Sequence, residues 1–433
     1  MKTIPIHAAH TAAAPGAPAP DPAWRWRRLL TAPHRLAFFA GAVVLGASGL
    51  WWLAVMLARS LDVALPWALP PALAHGLLMG LGFMPLFFAG FLFTAGPNWL
   101  SQPPVAALTL RTPVLVKVGG WALFIVGAHS AAWLAAAGMA LAGAAFAALV
   151  LRFARLVRTS RSPDRLHPRL ILAGCSLGVG LWLTAAAALV LGEHAAARAA
   201  MLASLWGFIA LVFTTVSHRM VPFFNGSALQ RVDARWPSWL LGVMAVAVLI
   251  EALLAGAEGL WWPLPAPLTA VRAVAEAAVA LLLLTQAVHW SRGPYLKQRL
   301  LTMLFVGFVW LGLAFALLAT SHVWRLLAPH SGGLGLAPLH ALTAGFFVST
   351  LFATVGRVSA GHSGRAVAAD DFAWRVFWLL QVAVVLRLAA ELWRAVSPAV
   401  LALAAIVWTA ATLAWSLRYG RWYGSPRADG RPG

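Results

Sequence analysis

Residues 69–94 read LPPALAHGLLMGLGFMPLFFAGFLFT, a run without one Asp, Glu, Lys or Arg. A helix rises 1.5 Å per residue, so about 20 such residues cross the ~30 Å hydrocarbon layer of a bilayer. The run is long enough, and its hydrophobicity does not alternate at period two, so it predicts a spanning helix and not a barrel strand. Its one ionisable side chain, His75, lies where polarity is expensive.

Working outward, similar runs recur along all 433 residues, of which 61% are hydrophobic and 10% charged. A soluble domain carries roughly 25% charged residues, so water is not the main solvent of this surface. The runs predict an all-α, polytopic protein of the lipid bilayer with about 12 transmembrane helices, at 36–58, 69–94, 113–130, 132–151, 169–191, 198–218, 237–257, 268–290, 299–320, 338–356, 373–392 and 398–417. Only Ala128-His129-Ser130 marks a turn between the third and fourth. Residues 1–32 read as a disordered cytoplasmic tail, 33–417 as the transmembrane domain and 418–433 as a cytoplasmic C-terminal tail. The loops leave no room for a soluble catalytic domain.

Charge orients the bundle. One set of alternate segments holds Arg25, Arg27, Arg28 and Arg35, then Arg111, Arg152 to Arg169, Arg219, Arg231, Arg235, Arg292, Lys297, Arg299, Arg357, Arg365, Arg375, Arg418, Arg421 and Arg427. The opposite loops offer Arg59, Arg198, Arg325 and Arg394. By the positive-inside rule this predicts both termini in the cytoplasm. The net charge of +20 is therefore topological. It forms no basic stripe interleaved with aromatics, which argues against nucleic acid as a partner. Trp51, Trp52, Trp67, Trp99, Trp236, Trp239, Trp261, Trp262 and Trp290 fall near span ends and read as interfacial anchors.

Cys175 is the only cysteine, so there is neither an intrachain disulfide nor a thiolate metal cluster, and any haem would be bound non-covalently. His7 and His10 lie in the tail and read as idle. The remaining histidines sort by depth. His75 stands 19 residues before Thr94 at the inner end of its span, and His340 stands 17 before Arg357 at the inner end of its own. Two imidazoles at one depth on two helices suit axial haem ligation or a copper site. Each is followed five residues on by glycine (Gly80 and Gly345), which leaves room for something bulky. Toward the inner face His34, His218 and His362 form a second candidate metal set, with Arg219 and Arg357 beside them as anion or propionate partners. His129, His194, His289, His322 and His330 read as interfacial or packing residues. Arg272 and Arg387 each precede a glutamate by four residues, the spacing of a helical ion pair. The sixth and tenth spans share a Gly-Phe twelve residues before an Arg, Gly207 to Arg219 and Gly345 to Arg357.

Four blocks, in order, resemble the NnrS family, haem- and copper-containing membrane proteins of the bacterial nitric oxide response. They are Pro33-His34-Arg35-Leu36-Ala37-Phe38-Phe39; His75 through Gly90-Phe91-Leu92-Phe93-Thr94-Ala95-Gly96-Pro97-Asn98-Trp99; Arg219-Met220-Val221-Pro222-Phe223-Phe224; and His340-Ala341-Leu342-Thr343 through Arg357-Val358-Ser359-Ala360-Gly361-His362-Ser363-Gly364-Arg365. The resemblance spans roughly 33–417. It implies haem b and copper bound within a bacterial inner membrane, and a role in resistance to nitric oxide and nitrosative stress. The family's His-Ala-His-Glu-Met run is here His75-Gly76-Leu77-Leu78-Met79, so a second His and a Glu are replaced by leucines and copper is the cofactor put in doubt.

Two other readings stay open from the residues. A twelve-span secondary transporter fits the Gly/Pro-interrupted second span, though Glu251, Glu276 and Glu391 lie toward span ends and not at the midplane. A reductase related to haem–copper oxidases fits the span count and intramembrane histidines, though no helix pairs two histidines closely. The sequence names neither the redox partner nor a catalytic residue.

Overall fold

The computed structural model describes residues 23–229, 236–292, 294–393 and 397–431; His7, His10, Arg231, Arg235 and Arg394 lie outside them. Among the described residues there is no strand. Twelve helical segments are long and apolar enough to cross a membrane: Pro33–Ser60, Pro71–Trp99, Ala107–Ser130, Ala132–Thr159, Leu166–Val190, His194–Pro222, Ser238–Leu260, Ala266–Ser291, Arg299–Leu327, Ala337–His362, Asp371–Leu392 and Pro398–Gly424. This is a multi-pass membrane protein.

The third and fourth spans are separate helices. Ala131 between them is extended (φ −157°, ψ 126°), and its N–H still bonds the carbonyl of Gly127. The two helices then run back against each other on glycine: a Cβ at Gly138 would sit 2.5 Å from the Gly120 carbonyl oxygen. Small residues allow this approach, on which helix packing in lipid relies.

Chain order is organised in fours. In the second, sixth and tenth spans 89%, 94% and 72% of the apolar window is buried, against 28–56% in the other nine. Three inner helices, four spans apart, are thus wrapped by the rest. Their core is aromatic: Phe88 of the second span packs on Phe208 and Phe213 of the sixth, and Phe213 stacks on Phe347 of the tenth at 5.2 Å and 7°.

Each inner helix is irregular. The second divides into Pro71–Leu81 and Met84–Trp99. Pro85 lacks an N–H at the start of its second half, and a Cβ at Gly82 would lie 2.3 Å from the Leu78 carbonyl oxygen, so only glycine suits the break. The sixth and tenth carry π-helical turns at Leu205–Ala210 and Ala341–Val348. Gly207-Phe208 and Gly345-Phe346 both fall inside these turns, so the shared sequence pattern marks a shared backbone feature. π turns recur at functional sites because they re-aim side chains by one register step.

The expected N-terminal tail over 1–32 is folded from Ala23 onward. Trp26–Thr31 is a short 3-10 helix, and the Trp24 indole donates to the Gly420 carbonyl at 3.2 Å. The last helix also runs past the expected boundary at 417 to Gly424. Beyond it the chain folds back, where Ala428 N–H bonds the Ser363 carbonyl at 2.8 Å. Aromatic packing drives both departures, since Trp24 and Tyr423 find apolar partners against the bundle. Both ends of the described chain therefore meet at one end of the molecule.

Candidate functional site

A cavity of about 910 Å³ opens at the end of the bundle remote from the chain termini. It lies inside the range of roughly 300–1,000 Å³ usual for small-molecule sites. Its wall is largely apolar and comes from six spans, the first, second, sixth, tenth, eleventh and twelfth, represented by Trp52, His75, Leu205, His340, Ala383 and Trp408.

His75 and His340 both face this cavity. Their ring centroids lie 6.4 Å apart and their planes 18° from parallel. His75 sits two turns before the Gly82 break, and His340 immediately precedes the π turn of the tenth span. Trp52 stacks on His75 at 3.9 Å, which holds the ring orientation. His340 Nδ1 lies 3.0 Å from the Leu336 carbonyl oxygen, so Nδ1 carries the proton and the Nε2 lone pair is left to bind. His75 Nδ1 is buried without a hydrogen-bond partner. An orphaned buried polar atom costs about 1–3 kcal/mol, a cost that coordination removes.

These features fit a metal between the rings. Two metal–imidazole bonds of about 2.0 Å, added to the two ring half-widths, span roughly 6 Å. A flat apolar macrocycle suits the apolar wall. Of the two glycines, Gly80 lines the cavity and Gly345 does not. A Cβ at Gly80 would meet Leu205 at 2.9 Å and one at Gly345 would meet Trp310 at 2.7 Å, so neighbouring helices take up the room.

The inner candidates do not form one set. His34 and His362 stand together, ring centroids 4.3 Å apart, with the His34 backbone N–H bonded to Thr94 Oγ1 at 3.1 Å. His218 pairs instead with His167 of the fifth span: His167 Nε2 lies 3.0 Å from His218 Nδ1, and His218 Nε2 bonds the Pro237 carbonyl. Arg219 pairs with Asp164 at 3.2 Å and lies over the Trp99 ring. Neither Arg219 nor Arg357 lines the cavity; its cations are Arg59, Arg198 and Arg387. No group of three or more His, Cys, Asp or Glu that could hold a metal occurs among the described residues.

Other polar residues form ion pairs. Arg272 bridges Glu251 at 2.6 Å, Glu258 at 3.0 Å and Glu276 at 3.0 Å, and Glu276 meets His322 Nδ1 at 2.6 Å. Arg387 pairs with Glu391 at 2.9 Å. Both i,i+4 pairs expected from spacing are present. His129 accepts from the Trp51 indole and donates to the Pro66 carbonyl, which fixes a loop. Trp52 carries no sequence signal beyond that of a membrane anchor, and nothing in the residues foretells that Arg59 and Arg198 line one cavity.

Fold and site together define a class: a multi-pass helical membrane protein with two facing imidazoles in an apolar intramembrane cavity. A family model described as NnrS protein matches residues 28–427, and the chain belongs to the NnrS family. No curated protein matches it.

Proposed function

We propose that this chain is a haem-binding protein of the bacterial cytoplasmic membrane, acting in the response to nitric oxide and nitrosative stress, with both termini in the cytoplasm. The observation that carries the reading is the His75–His340 pair, two imidazoles 6.4 Å apart on facing helices in an apolar cavity. Family membership supports it.

In this reading His75 and His340 would hold haem b between them. Trp52 keeps the His75 ring in place, and the Leu336 carbonyl fixes the His340 tautomer. The lone Cys175 rules out thioether attachment. When bound, the haem would supply a redox-active iron. The apolar wall excludes water from it. Copper, which the family also implies, would have among the described residues only two-imidazole pairs such as His34 and His362 to bind.

The transporter reading gains nothing from the structure, because Glu251, Glu258 and Glu276 are tied to Arg272. The test is an optical spectrum, oxidised and dithionite-reduced, of detergent-purified protein with iron analysis on the same sample. A Soret band with about one iron per chain or more supports the proposal. A colourless, iron-free preparation from haem-replete cells would overturn it.

A further inference from the structure

Arginine is scarce at the end of the molecule where the cavity opens. The sequence puts Arg59, Arg198, Arg325 and Arg394 there, with Arg272 and Arg387 inside the neighbouring span ends. Arg272 and Arg325 are used by carboxylates: Arg272 by Glu251, Glu258 and Glu276, and Arg325 by Glu258. Arg394 lies outside the described residues. The other three all line the cavity. They come from the C-terminal end of the first span, the start of the sixth and the eleventh, so sequence proximity does not bring them together. No Asp or Glu lines the cavity, and Arg59 and Arg198 have no carboxylate partner among the described residues. A cavity whose apolar wall carries three guanidinium groups and no acid is built for a ligand that is apolar in its body and anionic at one edge.

We propose that Arg59, Arg198 and Arg387 form a carboxylate-binding rim that holds the two propionates of a tetrapyrrole and sets its acidic edge toward the end of the bundle remote from the termini. The proposal rests on the haem reading above. It moves the anion partners away from Arg219 and Arg357. Guanidinium is the side chain of choice here because its planar donors match a carboxylate in two-point contact. Arg387 is the rim's anchor: Glu391 fixes its position at 2.9 Å while leaving other donors available. The same guanidiniums would also suit the phosphate of a lipid headgroup, and the experiment separates the two.

The full-length protein is prepared haem-free in detergent and titrated with haem b and with haem dimethyl ester, whose propionates carry no charge. Soret absorbance reads affinity. The wild type is expected to bind haem b about tenfold or more tightly than the ester, since each charge-assisted contact is strong. In the Arg198→Gln/Arg387→Gln double variant that preference should shrink to near unity, with ester affinity unchanged. Protection of the buried Cys175 thiol from labelling shows that each variant is folded. A wild type that binds both compounds equally would overturn the rim while leaving the haem reading intact. Failure of both compounds to give a bound Soret band would overturn the haem reading itself, and the rim with it. Loss of co-purifying anionic phospholipid from the double variant, with the haem–ester preference intact, would assign the arginines to lipid and overturn the proposal.

Discussion

The imidazoles of His75 and His340 lie 6.4 Å apart and nearly parallel, although 265 residues separate them in the chain. Neither sits on an uninterrupted helix. The Gly82 break follows His75, and the π turn Ala341–Val348 follows His340. Irregular backbone at membrane depth is tolerated only where protein or a cavity surrounds it. Its presence beside both histidines ties the architecture of the inner helices to the site.

The π turn in the tenth span should therefore be required for haem retention. It holds one residue more than an α-helix would, so deleting Ala344 removes the turn and re-aims the side chains within it. The deletion variant is expected to lose the Soret band while Cys175 stays protected. A variant that folds and keeps its full haem content would show that the turn is incidental.

The buried network around Arg272 predicts a large stability effect. Arg272 and Glu276 are almost wholly inaccessible, and removing one partner strands the other charges. Arg272→Met should cost about 3–5 kcal/mol, the range for breaking a buried ion pair. Thermal unfolding in detergent, followed by labelling of Cys175, measures it. A shift near zero would mean that the carboxylates relax by taking up protons.

Lys117 predicts the opposite sign. Its amine is buried without a hydrogen-bond partner and lies 3.8 Å from the Trp182 ring centroid. An unpaired buried polar group costs more than an apolar side chain of similar volume. Lys117→Met should leave stability unchanged or raise it by about 1 kcal/mol. Marked destabilisation in the same unfolding assay would show that the contact with Trp182 outweighs burial.

Many of these features were legible in the residues. Twelve spans follow from apolar runs longer than about 18 residues. The common depth of His75 and His340 follows from counting back from Thr94 and Arg357, and the Arg387–Glu391 pair from its spacing. What could not be read is tertiary. A π turn shifts every later side chain by one register step, so helical periodicity cannot say which face of the tenth span meets the cavity. Arg59, Arg198 and Arg387 stand on three distant elements. Gly80 and Gly345 signalled close approach, but composition alone could not distinguish Leu205 and Trp310 from a ligand.

The C-terminal segment supplies a pH prediction. Arg427 hydrogen-bonds Asp429 at 2.9 Å and the His362 carbonyl at 3.1 Å, fastening the segment beside the tenth span. The Arg427 guanidinium holds the Asp429 carboxyl down at about 2, below its ordinary value of 3.8. A depressed carboxyl contributes to docking above its unfolded value and loses that contribution as pH falls through the folded one. The protection of residues 425–431, measured as exchange relative to the intrinsic rate at each pH, should therefore be present at neutral pH and be lost below pH 4, toward 2. Asp429→Asn should lack that protection already at pH 7. Equal exchange in wild type and variant at pH 7 would contradict the fastening role.

The most direct test of the central claim is the reduced-minus-oxidised spectrum of purified His75→Ala and His340→Ala variants, with wild type and His129→Ala alongside. The account predicts that each cavity variant loses its Soret band and iron while remaining folded, and that His129→Ala keeps both. Full haem content in both cavity variants would contradict it.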